Sequence, residues 1–250
     1  MANGRPSAPN PSPPGKTRPR QTTPAARWND LPMNPVAPQR SPLCQSHREE
    51  MANVATHGLG MVLSIAALFG MIFSSCETTL EIVSASIFGG TLILLYGFST
   101  LYHASTGTRS KSILQSIDHA CIYLLIAGSY TPVTLISLRG PWGWTLLCIV
   151  WSMALAGVVI KTVLPRRTNH WISTGLYIAM GWLVLVAIGP LVRAVPAAGV
   201  AWLVAGGLSY TLGVFFFVRT KLPYHHAIWH LFVLGGSACH VAAIWLYVFR

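Results

Sequence analysis

Along most of the chain, apolar residues come in long runs separated by short polar breaks. The runs fall at approximately 54–75, 79–101, 115–138, 142–162, 171–191, 197–218 and 226–248. Each offers about the 20 residues of helix that cross a bilayer's hydrocarbon core. The pattern therefore predicts an all-α integral membrane protein, a seven-transmembrane helix bundle. The breaks are polar and short: Ser105 to Lys111, then Arg139-Gly140-Pro141, the tightest boundary, then Lys161 to Asn169. Residues 1–46 read differently, being rich in Pro, Arg, Asn, Ser and Thr with no apolar period. Such a segment cannot bury enough surface to offset its ordering entropy. It is expected to be a disordered tail ahead of a membrane domain at 47–250, and it lacks the apolar stretch of a signal peptide.

Composition agrees. Of 250 residues 52% are hydrophobic and 9% charged, against roughly 25% charged in soluble domains, which excludes an ordinary soluble globule. Lys and Arg outnumber Asp and Glu by 17 to 6, a balance that on a soluble chain points to nucleic acid. Here the basic residues lie in the tail and between apolar runs, with no basic groove interleaved with aromatics, so no nucleic-acid partner is expected. Counted by side, the tail and even-numbered breaks hold 14 Lys and Arg and the opposite side 3. The positive-inside rule then places the amino terminus in the cytoplasm and the carboxyl terminus outside, in a multi-pass protein of the plasma or inner membrane. Without the tail the bias is 7 to 3. The cysteines, Cys44, Cys76, Cys121, Cys148 and Cys239, stand singly and read as reduced packing residues.

An ionisable group inside a span is costly unless paired, solvated or liganded, so each is a functional candidate. Four cluster by depth. His103 closes the second span, Asp118 opens the third, and His226 and His230 open the seventh, all at the predicted cytoplasmic ends. His226 and His230 are four apart, hence on one helix face, where two imidazoles can reach one cation. Three imidazoles with water in the fourth position is the ligand set of a catalytic zinc, and no cysteine accompanies them. Asp118 could then act as general base. Ser99, one turn before His103, could orient the water or donate to an oxyanion. Read singly, each histidine is equally well an interfacial anchor.

The remaining polar residues read as structural. His57 and His225 are expected at the interface, and His240, about 15 Å of helix from His230, lies too deep for the same ion and caps a buried hydrogen-bond network. His119 is turned about 100° from Asp118 towards a neighbouring helix. Glu49 and Glu50 read as helix N-terminal acids favoured by the macrodipole, the alternative being partners for a basic loop. The glycine pairs Gly89-Gly90, Gly206-Gly207 and Gly235-Gly236 suit close helix packing.

Four ordered motifs also carry a resemblance. Ala55-Thr56-His57-Gly58, Ser99-Thr-Leu-Tyr-His103, Asp118-His119 followed by Ile122 to Pro132, and His226-Ala-Ile-Trp-His230 with His240 closely resemble bacterial hemolysin III proteins. These belong to the progestin and adipoQ receptor (adiponectin receptor) family. The resemblance covers about 45–250. It implies a seven-helix bundle with a cytoplasmic amino terminus and a zinc ion near the inner leaflet, liganded by His103, His226 and His230. Asp118 matches the acid that holds the zinc-bound water, and Ser99 the nearby serine. The related ceramidases and receptors imply amide cleavage of a lipid; the lack of an extended carboxyl-terminal segment puts hormone binding in doubt.

Two further functions remain open at this point, a hemolysin-type pore-forming cytolysin and a non-enzymatic regulator of membrane fluidity. No ring of charges or polar stripe recurs across the spans as a channel requires. Membrane lipids are the expected partners, a lipid amide the expected substrate, and the oligomeric state stays unknown.

Overall fold

The computed structural model describes Met1, residues 46–163 and residues 170–249; the expected tail lies outside the described residues. The helices are α1 His47–Ser75, α2 Thr79–Ala104, α3 Thr108–Pro132, α4 Pro141–Val163, α5 His170–Gly181, α6 Ile188–Ala194, α7 Ala197–Phe217 and α8 His225–Tyr247, with no strand among the described residues. With α3 running on to Ser137 and α5 and α6 forming one unit, seven segments are long and apolar enough to cross a membrane. Their bounds follow the apolar runs closely. Two polar-side ends extend further: α1 starts at 47, not 54, and α3 at 108, not 115.

Local chemistry sets these ends. Ser46 and Glu49 form a reciprocal capping box at the start of α1, and Thr78 and Glu81 repeat it at α2, each satisfying backbone donors a helix leaves open. The turn from α3 to α4 pivots on Gly140 at φ 81°, a conformation glycine adopts without steric cost. Pro132 has no N–H to donate to the residue four before it, and the helix continues as a π turn over Val133–Ser137.

The fifth span differs from the single helix read in the sequence: α5 stops at Gly181, a 3₁₀ turn covers Leu183–Ala187, and α6 follows. Pro190 cannot donate to the preceding turn. Tyr130 bridges the break, its hydroxyl accepting from the Val184 N–H at 2.9 Å and donating to the Met180 carbonyl at 2.9 Å.

In the bundle, α3 is central: 67% of its apolar window is buried, against 11% for α7. Neighbours in sequence pack as hairpins from α1 to α4, α7 packs on α8, and α8 returns to α1. Thus α1 lies against both α2 and α8. The expected close packing of glycine is found at Gly206, where a Cβ would overlap the His240 ring, and at Gly213, where it would lie 2.8 Å from the Phe232 Cβ. Large apolar side chains such as Phe73 and Val186 face outward, as lipid-facing positions do.

Candidate metal centre

Two helix ends build the centre. Helix α2 closes at Ser105, whose N–H reaches back to Leu101 at 3.0 Å, so His103 occupies its last turn. Helix α8 opens after Tyr224, and His226 and His230 follow on one face. Their rings converge: centroids are 5.0 Å apart for His103 and His226, 5.1 Å for His103 and His230, and 4.6 Å for His226 and His230. One nitrogen from each lies within 4.8 Å of the others, and all three residues are buried. Nitrogens bound to one tetrahedral zinc sit about 3.4 Å apart, from bond lengths near 2.1 Å, so small ring rotations bring these donors onto one ion.

Hydrogen bonds indicate which nitrogens face the centre. Glu50 Oε2 lies 2.7 Å from His103 Nδ1, so Nδ1–H donates to the carboxylate and Nε2 is the atom His103 offers a cation. The Thr56 hydroxyl lies 3.1 Å from His230 Nδ1 and 2.9 Å from the Ala52 carbonyl. Its one proton points at that carbonyl, so His230 Nδ1–H donates to Thr56 and Nε2 keeps its lone pair. His230 Nε2 and both nitrogens of His226 are buried with no hydrogen-bond partner among the described residues. Buried polar atoms in that state are costly, and a shared cation would satisfy one nitrogen of each ring. By donor type, burial and spacing, the residues fit zinc.

Asp118 and Ser99 are both buried, at 3% and 0% exposure, and Ser99 faces the Asp118 carboxylate. Asp118 is not in the group whose ligand atoms close to within 4.8 Å, which holds only the three histidines among the described residues. His240 lies outside the group, its ring edge-on to Tyr210 at 5.5 Å. Tyr210 and Tyr96 both bond Ser237, at 2.9 and 2.7 Å, so His240 meets that network through a ring contact. The backbone carbonyl of His119 accepts from the Tyr177 hydroxyl on α5 at 2.9 Å.

Several residues depart from their sequence reading. His57 is no interfacial anchor: it is buried and stacks on His230. His225 is likewise buried, 6.1 Å from the His226 ring. Glu50 bridges His103 and Lys111, the partner role held as the alternative, whereas Glu49 does cap its helix. Lys161, counted as a loop charge, sits inside α4 and is buried. Sequence reasoning missed Asn53 and quoted Thr56 only within a motif, without a role. Glu50, Asn53 and His57 recur every three to four residues along α1, and that polar stripe on an otherwise apolar helix was the available signal.

An apolar cavity extends to residues packed on the centre. Its lining runs along the fifth span from Ser173 to Leu191, with Tyr210 and Val233 across from it, and reaches His57 and Trp229 beside the cluster.

The fold and site define a class: a multi-pass membrane bundle whose helix ends bury three convergent imidazoles. Residues 45–241 match the family described as Haemolysin-III related. The chain is 46% identical over 208 residues to Hemolysin-3 of Bacillus cereus, covering 82% of this chain and 94% of that protein. It is 46% identical over 202 residues to the Hemolysin-3 homolog of Bacillus subtilis (strain 168), covering 80% and 94%. It is 32% identical over 231 residues to the human Monocyte to macrophage differentiation factor, covering 87% and 92%. The chain belongs to the Haemolysin-III related family, as the motifs lead one to expect, within the progestin and adipoQ receptor superfamily. Seven apolar helices and this membership make it a multi-pass protein of the plasma membrane.

Proposed function

We propose that the protein is a zinc-dependent hydrolase of lipid amide bonds, with its histidine centre at the cytoplasmic end of the bundle. The observation that carries this reading is a buried set of three imidazoles without a thiolate, two of them held with Nε2 towards the others. Catalytic zinc uses such open sets, whereas structural zinc usually closes its shell with cysteine. A zinc ion held by His103, His226 and His230 supplies Lewis acidity that polarises a carbonyl and activates water. Asp118 would take the proton of the attacking water as general base and return it to the amine nitrogen as the C–N bond breaks, so that a fatty acid and an amine leave. Ser99 can give its one hydroxyl proton to orient the water or to the developing oxyanion. The apolar cavity receives the acyl chain and delivers it past His57 and Trp229 to the histidines.

The test is release of fatty acid from fluorescent N-acyl lipids by purified, zinc-loaded protein. Asp118→Asn is expected to slow turnover by about 10²–10⁴-fold with zinc content unchanged, and chelation to abolish it. No release from any N-acyl lipid by zinc-loaded protein would overturn the hydrolase and leave zinc a structural role in a membrane regulator. The Bacillus cereus relative is a Hemolysin-3 by name, which supports a second reading, a cytolysin. Red-cell lysis that survives Asp118→Asn would favour it.

A further inference from the structure

Helix α1 supplies none of the three imidazoles, yet its first turn reaches both elements that do. Glu49 and Glu50 are adjacent, so their side chains diverge by about 100° around the helix, and each leaves in a different direction. Glu50 spans from α2 to α3: Oε2 is 2.7 Å from His103 Nδ1 and Oε1 is 2.7 Å from Lys111 Nζ. Lys111 thereby fixes the plane of the carboxylate that His103 sees. Glu49 crosses to the start of α8, its Oε1 accepting the backbone N–H of Tyr224 at 2.9 Å, while Oε2 stays with Ser46 in the capping box.

Tyr224 is the one non-glycine residue at positive φ among the described residues, at φ 55° and ψ 18°. A bulky side chain adopts this left-handed conformation only when its surroundings hold it there. It is also the N-cap of α8 with no side-chain cap of its own, and it precedes His226 by two residues. The direction in which α8 starts, and with it the place of His226, depends on the conformation Glu49 holds. Since α2 and α8 both pack on α1, the acid pair sits where one helix can register two ligand-bearing ends against each other.

We infer that Glu49 and Glu50 form the positioning clamp of the metal centre. Glu50 sets the tautomer and direction of His103, and Glu49 sets the start of α8 that carries His226 and His230. Carboxylates that hold a ligating imidazole through its second nitrogen tune metal affinity in this way. Capping alone does not account for the pair, because the Glu50 carboxylate is spent on His103 and Lys111 and the second oxygen of Glu49 leaves its own helix. The inference rests on the reading that the three imidazoles bind zinc.

The test is zinc affinity of the full-length protein in detergent, by competition with a fluorescent chelator, for wild type, Glu49→Gln and Glu50→Gln. His226→Ala/His230→Ala gives the zero. Each single acid variant is expected to bind zinc about 10–100-fold more weakly. X-ray absorption at the zinc edge should show a less ordered imidazole shell, while the metal-free melting temperature stays near wild type. That split separates positioning from general stability. Should Glu50→Gln fail to fold, Glu50→Asp keeps the charge but withdraws the carboxylate by one methylene, and a several-fold loss is expected. Acid variants that bind zinc within twofold of a zinc-binding wild type overturn the clamp and leave the metal centre standing. A wild type that binds no zinc overturns both.

Discussion

The imidazole of His57 lies flat on that of His230, with centroids 3.4 Å apart and planes inclined by 13°. The edge of His57 is packed at 5.0 Å against Tyr96, which is itself tied to α8 through Ser237. Two α1 side chains therefore bear on His230, Thr56 by hydrogen bond and His57 by its face. Replacing His57 with alanine removes the surface on which His230 rests and opens a cavity in a buried site. A loss of about 2–4 kcal/mol is expected for the metal-free protein, whereas His57→Phe, which keeps a flat ring, should lose less. Unfolding midpoints in detergent decide the matter; an unchanged midpoint in His57→Ala would mean the stack carries no stability.

Metal content tests the centre itself. Wild type purified without chelator is expected to hold about one zinc per chain by elemental mass spectrometry. His226→Ala/His230→Ala should hold none, because one imidazole cannot retain the ion. Chelation should lower the wild-type melting temperature and added zinc restore it, since a ligand bound only by the folded state stabilises it, by about 2.7 kcal/mol at a free concentration 100-fold above Kd. A double variant with wild-type zinc would place the ion elsewhere.

Much of this was legible in the sequence, because membrane helices advertise themselves by length. The seven runs needed only counting, and His103, Asp118, His226 and His230 stood out as ionisable groups at one depth. What stayed hidden depends on contacts between elements. Glu50 and Lys111 are 61 positions apart; Glu50 is ordinary at a helix start, and Lys111, a cation at the positive end of α3, does not name its partner. His57 reads as an anchor near a span start until α1 is found to begin at His47, which moves it inward by nearly two turns. The break in the fifth span is set by Pro190 together with a distant hydroxyl, that of Tyr130, which no local pattern reveals.

That hydroxyl gives a separate prediction. Tyr130 satisfies backbone groups at the interruption between α5 and α6, accepting from Val184 and donating to Met180 and Gly181. Tyr130→Phe keeps the ring and leaves the part-buried Val184 N–H without its partner. A cost of about 1–3 kcal/mol is expected. Faster hydrogen exchange should be confined to the peptide covering Leu183–Ala187. Exchange there equal to wild type would show that the 3₁₀ turn satisfies itself.

The direction of the bundle follows from charge, and it decides which leaflet the histidines face. The end that carries them holds Arg109, Lys111, Arg219 and Lys221, and the opposite end Arg139 and Arg193. By the positive-inside rule the histidine end is expected in the cytoplasm. Single cysteines at Arg109 and Trp144, both exposed and at opposite ends, report this in a background where Cys44, Cys76, Cys121, Cys148 and Cys239 are replaced by serine. A membrane-impermeant thiol reagent added to intact cells is expected to label Trp144→Cys and to label Arg109→Cys only after permeabilisation. The reverse pattern would invert the protein and move its metal centre to the outer leaflet. A lipid substrate would then have to come from that side, since the cavity extends to residues packed on the histidines whichever way the bundle stands.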